Sequence, residues 1–152
     1  MNLLFLGDIV GRTGRDALGA HLPGLRRDLA LDFVIVNGEN AAAGFGITQK
    51  ICDQFFELGV RYMSLTHFNT HNWADSATDA AKNGGLSEFG REVIGEMNRL
   101  GMIIDVSHAA DTVFEQVMAL STKPVMASHS SIRTLVDHPR NMTDHMLRAI
   151  AN

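Results

Sequence analysis

The sequence has little cysteine and lacks long apolar runs. Cys52 is the single cysteine among 152 residues, which excludes an internal disulfide and any zinc or iron–sulfur site built from several cysteines. No stretch approaches the roughly 18 consecutive apolar residues of a membrane-spanning helix. Residues 1–8 also lack the basic start of a secretory signal. These absences predict a protein of a reducing compartment, and we expect a cytoplasmic location.

An excess of positive charge is absent as well. The formal net charge is −4, so nothing in the charge balance favours nucleic acid or an anionic membrane as a partner. The composition, with 45% apolar and 20% charged residues, is that of an ordinary globular protein. A chain of this length predicts a single domain over residues 1–152.

Short apolar runs alternate with helical patterns along the whole chain. Runs of strand type begin near residues 3, 33, 61, 102 and 124, and each is followed by apolar residues at helical spacing. Five successive βα units predict an α/β fold with parallel strands and right-handed crossovers. We expect an open sheet in the order 2-1-3-4-5 with helices on both faces, like a flavodoxin or Rossmann fold, since a closed barrel normally needs eight units.

Capping residues mark several helix ends. Ser87 and Thr143 are typical N-cap residues, and Gly59 and Gly101 are typical C-cap residues. Thr48 is a further candidate N-cap, and the helix after the fourth strand begins at Ala110 or Asp111. Pro23 interrupts the first helical pattern, which predicts an end or a kink near Leu22. The polar residues 68–85 predict a lid, a binding loop or a disordered segment.

Polar and ionisable side chains follow every predicted strand. In a parallel sheet the carboxyl ends of the strands meet at one edge, where ligands bind. Two carboxylates and several imidazoles suit a divalent metal, with zinc, manganese and iron as candidates. The sequence therefore predicts a metal site at this edge. The residues are Asp8, Glu39, Asn40, His67, His108 and His129.

Each of these residues also has a simpler interpretation. Asp8 is equally well explained as the cap of a turn, Glu39 as a solvated loop acid, and Asn40 as a left-handed turn residue. A strand-end histidine commonly bonds to nearby backbone. Asp105 is a weaker candidate, because in a regular strand it faces away from His108. The collective placement at one edge favours the functional interpretation.

Residues 1–60 resemble the small bacterial calcineurin-like metallophosphoesterases that act on cyclic nucleotides. The matching motifs are Gly7-Asp-Ile-Val-Gly11 with Gly14-Arg15, and residues 37–42 (Asn-Gly-Glu-Asn-Ala-Ala) with residues 44–48 (Gly-Phe-Gly-Ile-Thr). The resemblance implies that Asp8, Glu39 and Asn40 are metal-site residues, with Asp8 also catalytic. The family's next strand ends in Gly-Asn-His, whereas this chain has Thr66-His67-Phe68.

Residues 59–152 resemble the renal or membrane dipeptidases, which are zinc enzymes built on an eight-unit β/α barrel. The matching segments occur in the same order in both, at residues 59–67, 72–75, 85–91, 97–108, 127–131 and 138–141. The resemblance implies that His108 and His129 bind zinc, that His67 is catalytic and contacts the substrate, and that Arg140 binds the substrate carboxylate. The family's N-terminal His-x-Asp pair, bridging glutamate and later aspartate are missing from this stretch.

The two resemblances together predict a chimera that is joined near Gly59-Val60 and carries part of a barrel. We expect a metal-dependent hydrolase of dipeptidase type, in which water activated by the metal attacks a peptide bond. Two alternatives remain open: a metallophosphoesterase acting on phosphodiesters, and an inactive structural α/β protein, since both parent sites are incomplete. The expected ligand is accordingly a dipeptide or a phosphodiester. The open sheet edges also predict self-association.

Overall fold

The structure is a computed structural model that describes residues 1–37 and 49–151. It divides into two compact units, Met1–Arg61 and Tyr62–Asn152, which we describe separately. No helix in the described part of the chain combines the length and apolar character needed to cross a membrane. The organisation of the whole chain as one domain stays a prediction.

The first unit contains two strands and two helices. Strand β1 (Leu3–Asp8) pairs in parallel with β2 (Phe33–Asn37), with Leu3 opposite Phe33. Helix α1 (Gly11–Asp28) connects them, and α2 (Gln49–Glu57) follows. Gly59 adopts a left-handed conformation (φ +97°) directly after α2, as its predicted capping role requires.

Helix α1 does not end at Leu22, one of the two outcomes that the sequence predicts there. It continues through Pro23 to Asp28. Proline removes one backbone hydrogen bond from a helix interior, and the buried apolar residues of α1, Leu18 and Leu22, both precede it. The local helix-breaking signal therefore does not end the helix.

The second unit holds three parallel strands and three helices. In chain order these are β3 (Tyr62–Ser64), α3 (Glu88–Leu100), β4 (Ile103–Asp105), α4 (Asp111–Leu120), β5 (Val125–Met126) and α5 (Asp144–Ala151). The strands lie in the order β3-β4-β5. Apolar side chains of the strands and helices form a core, among them Leu65, Val93, Met97, Ile104, Val113 and Val117.

The predicted helix ends of the second unit are confirmed. The Ser87 hydroxyl accepts a hydrogen bond from the Gly90 N–H (3.2 Å), and Gly101 ends α3 in a left-handed conformation. Helix α4 begins at Asp111 after Ala110. The Thr143 hydroxyl accepts from the Met146 N–H (3.2 Å) at the start of α5. The predicted cap Thr48 lies outside the described residues.

The parallel α/β class is confirmed. The neighbours within each sheet agree with the predicted order 2-1-3-4-5, since β1 pairs with β2 and β4 lies between β3 and β5. Among residues 1–37 and 49–151 the strands form a two-stranded sheet in the first unit and a three-stranded sheet in the second.

Residues 68–85 are organised by a buried carboxylate. Asp75 is fully buried and accepts hydrogen bonds from the backbone N–H groups of Lys82, Asn83 and Gly85 (2.8–3.2 Å) and from the Asn83 side chain (2.9 Å). Short bridges also join Ala74 to Leu86 and Ser76 to Ala109. The segment is a folded loop rather than a disordered one.

Candidate metal centre

Three histidines occupy equivalent positions after the three strands of the second unit. Ser64, Asp105 and Met126 are in register across β3, β4 and β5, and a histidine follows three residues after each of them, as His67, His108 and His129. The sequence predicts strands that run up to these histidines. The strands instead end earlier, because the backbone beyond them turns to bond with side chains, as the Ser107 N–H does with Asp105 (3.0 Å).

The structure brings these imidazoles together. The Nε2 atoms of His108 and His129 lie 2.9 Å apart. The ring centroids of His67 and His108 lie 4.6 Å apart, in an edge-on arrangement. Phe68, which is exposed, packs against His67 at 4.0 Å and meets His108 edge-on at 5.5 Å between ring centroids. The result is an aromatic cluster at the carboxyl edge of the sheet.

The His108–His129 pair fits a zinc ion as two of its ligands. Zinc–nitrogen bonds are about 2.0–2.1 Å long and tetrahedral, so two nitrogens on one ion lie about 3.3–3.4 Å apart. The two Nε2 atoms, 2.9 Å apart, are slightly closer than this, so the two rings would separate slightly to hold the ion. Imidazole nitrogen is also a preferred zinc ligand.

His108 is held in its neutral form, the form that binds metals. Only 4% of the residue is exposed. Burial, followed by the positive charge of Arg140 and the neighbouring His67 and His129, lowers the pKa of His108 to about 4, although Asp105 opposes this shift. The residue also takes a left-handed backbone conformation (φ +67°), which is uncommon for a residue other than glycine.

Asp105 lies beneath the pair and connects all three strands. Its Oδ2 accepts hydrogen bonds from the hydroxyls of Ser64 and Ser128, both at 2.6 Å. Its Oδ1 accepts from the backbone N–H groups of Ser107 and Ser128, both at 3.0 Å. Burial raises the pKa of this carboxyl group, but the hydrogen bonds outweigh burial and the net pKa lies below its usual value. A buried carboxylate therefore holds the loops that carry His108 and His129.

The loop around His129 has two further anchors. The Ser128 hydroxyl lies 2.7 Å from the Nδ1 atom of His129. The His129 N–H donates to the Ser107 hydroxyl at 3.1 Å. The ring and the backbone of His129 are thus each fixed by a serine that precedes one of the two histidines.

Arg140 lies beside the pair. Its Nη2 atom donates a hydrogen bond to the carbonyl of His129. Its Nε atom is buried and has no hydrogen-bond partner within the described part of the chain. The loop that carries Arg140 is tied down by Arg133, which donates two hydrogen bonds to Asp111 (2.7 Å each) and others to the carbonyls of Pro139 and Asn141 (2.8 and 2.9 Å).

The three remaining predicted ligands belong to the first 60 positions. Asp8 ends β1 in the first unit and is exposed, whereas Glu39 and Asn40 lie outside the described residues. No group of three or more histidine, cysteine, aspartate or glutamate side chains arranged to hold a metal occurs among residues 1–37 and 49–151. The composite site of carboxylates and histidines stays a prediction.

Asp105 has a larger structural role than the sequence predicted. We predicted that it faces away from His108, as alternate residues of a regular strand do, but the strand ends at Asp105 and the chain then turns. Its carboxylate instead accepts hydrogen bonds from the backbone N–H groups of Ser107 and Ser128, which precede the two histidines. The available signal was a carboxylate within the apolar run Ile103-Ile104-Asp105-Val106, because a buried acid requires several hydrogen-bond donors.

Comparisons with known proteins agree with the second resemblance. The sequence profile of the membrane dipeptidase family, peptidase family M19, matches residues 26–152. The match begins inside the segment that we compare with metallophosphoesterases, and the origin of that segment stays a prediction. An uncharacterized dipeptidase of Schizosaccharomyces pombe is 42% identical over 113 residues, which are 74% of this chain and 27% of that protein. Dipeptidase 3 of Mus musculus is 45% identical over 101 residues, which are 63% of this chain and 20% of that protein.

Solved structures show the same fold. The probable dipeptidase PvdM from Pseudomonas aeruginosa superposes with a TM-score of 0.77 at 30% identity, over 91% of this chain and 41% of that one. A dipeptidase described as a metallopeptidase of family M19 superposes with a TM-score of 0.66 at 24% identity, over 96% of this chain and 40% of that one, and shows the fold alone. The chain spans 27% and 20% of the two curated relatives. The profile match over residues 26–152 shows that the chain belongs to the membrane dipeptidase family, peptidase family M19.

Proposed function

We propose that this chain hydrolyses dipeptides with the help of a divalent metal, for which zinc is the best candidate. The observation that carries the proposal is the His108–His129 pair, whose Nε2 atoms lie 2.9 Å apart in a member of a dipeptidase family. When bound, the metal supplies a Lewis acid and lowers the pKa of a water molecule towards about 7. Asp8, Glu39 and Asn40 are the proposed additional ligands.

Arg140 is the proposed binding residue for the substrate carboxylate. Its guanidinium lies beside the pair, where one nitrogen bonds to the His129 carbonyl and the buried Nε has no partner among the described residues. An arginine with donors to spare matches a carboxylate, which accepts two parallel N–H bonds. Binding at this position sets the peptide bond of a short substrate near the two histidines.

His67 is the proposed proton-handling residue at the edge of the cluster. Its backbone carbonyl accepts a hydrogen bond from the Ser76 hydroxyl (2.7 Å), which anchors it to the folded loop. Phe68 covers one side of its ring at 4.0 Å. Histidine is the side chain that most often transfers a proton to or from a reacting group, and His67 lies beside His108 with the two ring centroids 4.6 Å apart.

The direct test compares free dipeptides with the same dipeptides carrying a C-terminal amide, using the zinc-loaded protein and amino-acid release as the readout. We expect hydrolysis of the free acid only. Arg140→Lys is expected to raise KM by at least about tenfold, and His129→Ala to abolish turnover. No release from any dipeptide by a protein that holds zinc contradicts the proposal.

A second candidate function follows from Asp8 at the end of β1. We propose it for the segment 1–60, on the motifs that resemble metallophosphoesterases. It predicts manganese-dependent hydrolysis of an aryl phosphodiester that is lost in Asp8→Asn and survives in His129→Ala. Dipeptide hydrolysis, in contrast, is expected to be lost in His129→Ala. Absence of both activities favours the third alternative, an inactive α/β protein.

A further inference from the structure

We propose that Asp105 is a positioning residue, which acts through Ser128 to keep the proton of His129 on Nδ1 and so leaves Nε2 free as a ligand atom. The consequence for metal binding rests on the proposed function. The position of the proton does not, because it is a property of the metal-free protein. The proposal is carried by three atoms in a row: Asp105 Oδ2, Ser128 Oγ and His129 Nδ1.

The donor and the acceptor of these two hydrogen bonds are fixed because the Ser128 hydroxyl has a single proton. Ser128 Oγ lies 2.6 Å from Asp105 Oδ2 and 2.7 Å from His129 Nδ1. An ionised carboxylate only accepts hydrogen bonds, so the serine proton lies towards Asp105. The serine oxygen is then an acceptor towards the ring, and the proton of the second hydrogen bond has to sit on Nδ1.

The surroundings of Asp105 keep it ionised. Both oxygens together receive four donors, namely two hydroxyls and two backbone N–H groups. Burial alone raises the pKa of a carboxyl group. Here the four hydrogen bonds exceed that effect and the pKa lies below its ordinary value. Asp105 is therefore an acceptor at neutral pH.

The protonation of His108 agrees with this assignment. If Nε2 of His129 carries a lone pair, Nε2 of His108 donates the hydrogen bond of 2.9 Å between them. Nδ1 of His108 then holds a lone pair and needs no acceptor. This matches the structure, in which that buried atom has no hydrogen-bond partner among the described residues.

The substitution Asp105→Asn makes a directional prediction. The backbone N–H groups of Ser107 and Ser128 face Oδ1, so the amide oxygen takes that place. The amide NH₂ then takes the place of Oδ2 and donates to Ser64 and Ser128, whose hydroxyls face it. Ser128 becomes an acceptor there and turns its proton to His129 Nδ1. The variant therefore has the reversed tautomer, with the proton on Nε2.

The experiment measures the ring ¹⁵N resonances of His129 in metal-free protein at pH 7.5, assigned by comparison with His129→Gln. We expect Nδ1 to be protonated in the wild type and Nε2 in Asp105→Asn. Ser128→Ala removes the intermediate hydroxyl of an exposed residue and is expected to give both tautomers. Ser128→Thr keeps a hydroxyl and retains the wild-type tautomer. Ser64→Ala is the matched control, since it deletes the other hydroxyl on the same carboxylate oxygen and leaves His129 unchanged.

Zinc titration of the same proteins gives the second readout. Outer-sphere partners of a ligating histidine typically contribute 10–100-fold to metal affinity, so Asp105→Asn and Ser128→Ala are expected to bind zinc about 10–100-fold more weakly than Ser64→Ala. A wild type with the proton on Nε2, or an unchanged tautomer in Ser128→Ala, overturns the proposal. The expected tautomers without zinc binding uphold it and count against the proposed metal site instead.

Discussion

The Nε2 atoms of His108 and His129 lie 2.9 Å apart although 21 positions separate the residues in the chain. The register of the sheet produces this proximity, because Asp105 and Met126 are paired across β4 and β5 and each histidine follows its strand by three residues. Parallel pairing therefore places side by side two segments of equal length that both end in Ser-His. The carboxylate of Asp105 then joins both loops from below.

The close packing of α3 against the folded loop predicts a large effect of Gly90→Ala. A β-carbon at position 90 lies 2.3 Å from the Trp73 carbonyl oxygen, so backbone has to shift. We expect a loss of about 1–3 kcal/mol in unfolding free energy, measured by urea denaturation. A β-carbon at position 95 of the same helix meets no atom within 4 Å. Gly95→Ala is therefore expected to raise the unfolding free energy by about 0.5–1 kcal/mol. Equal effects of the two substitutions contradict the packing described here.

The buried Asp75 carboxylate predicts a loss of stability in acid. Burial raises its pKa, but the hydrogen bonds from Lys82, Gly85 and Asn83 bring the net pKa below the ordinary value. Because the folded-state pKa is lower than that of the unfolded chain, about 3.9, the stabilisation is present above that pH and is lost as the pH falls through the folded-state pKa.

Urea denaturation at pH 7 and at pH 3 measures this effect. Asp75→Asn cannot accept all four hydrogen bonds and is expected to lose about 1–3 kcal/mol at pH 7, with a smaller further loss at pH 3 than the wild type. Asp16→Asn is the control, since the Asp16 side chain is 68% exposed. A pH dependence of Asp75→Asn as steep as that of the wild type argues against the role of Asp75.

The ion pair between Arg133 and Asp111 predicts measurable coupling. Two parallel hydrogen bonds of 2.7 Å join them, and the arginine side chain is 23% exposed. A bidentate arginine–carboxylate pair of this kind has better hydrogen-bond geometry than an ordinary surface ion pair. A double-mutant cycle of Arg133→Lys and Asp111→Asn is expected to give a coupling free energy of about 1 kcal/mol, reduced at high salt. A coupling indistinguishable from zero contradicts a stabilising role for the Arg133–Asp111 pair.

Local signals in the sequence predicted the helices well. Ser87, Gly101 and Thr143 act where they were predicted, because a cap depends on a few neighbouring residues. The histidines after β3, β4 and β5 were likewise predicted to meet at one edge, since parallel strands place their carboxyl ends together.

Features that depend on distant partners were not predictable. The role of Asp105 requires donors from Ser64 and Ser128, at separations of 41 and 23 positions, and the sequence does not show which serines lie nearby. Asp75 accepts hydrogen bonds from residues 7–10 positions later, so a polar segment that suggested a lid, a binding loop or disorder forms a folded loop. The continuation of α1 through Pro23 also differs from the helix end that the proline suggested near Leu22.

The measurement that tests the account most directly is calorimetric zinc titration of the metal-free protein. The comparison is between the wild type, the double variant His108→Ala/His129→Ala, and His145→Ala, in which a histidine with a 74% exposed side chain is replaced. We predict one zinc ion per chain in the wild type and in His145→Ala, and no specific binding in the double variant. Equal binding by the wild type and the double variant, whether strong or negligible, contradicts the central claim that His108 and His129 form a metal centre.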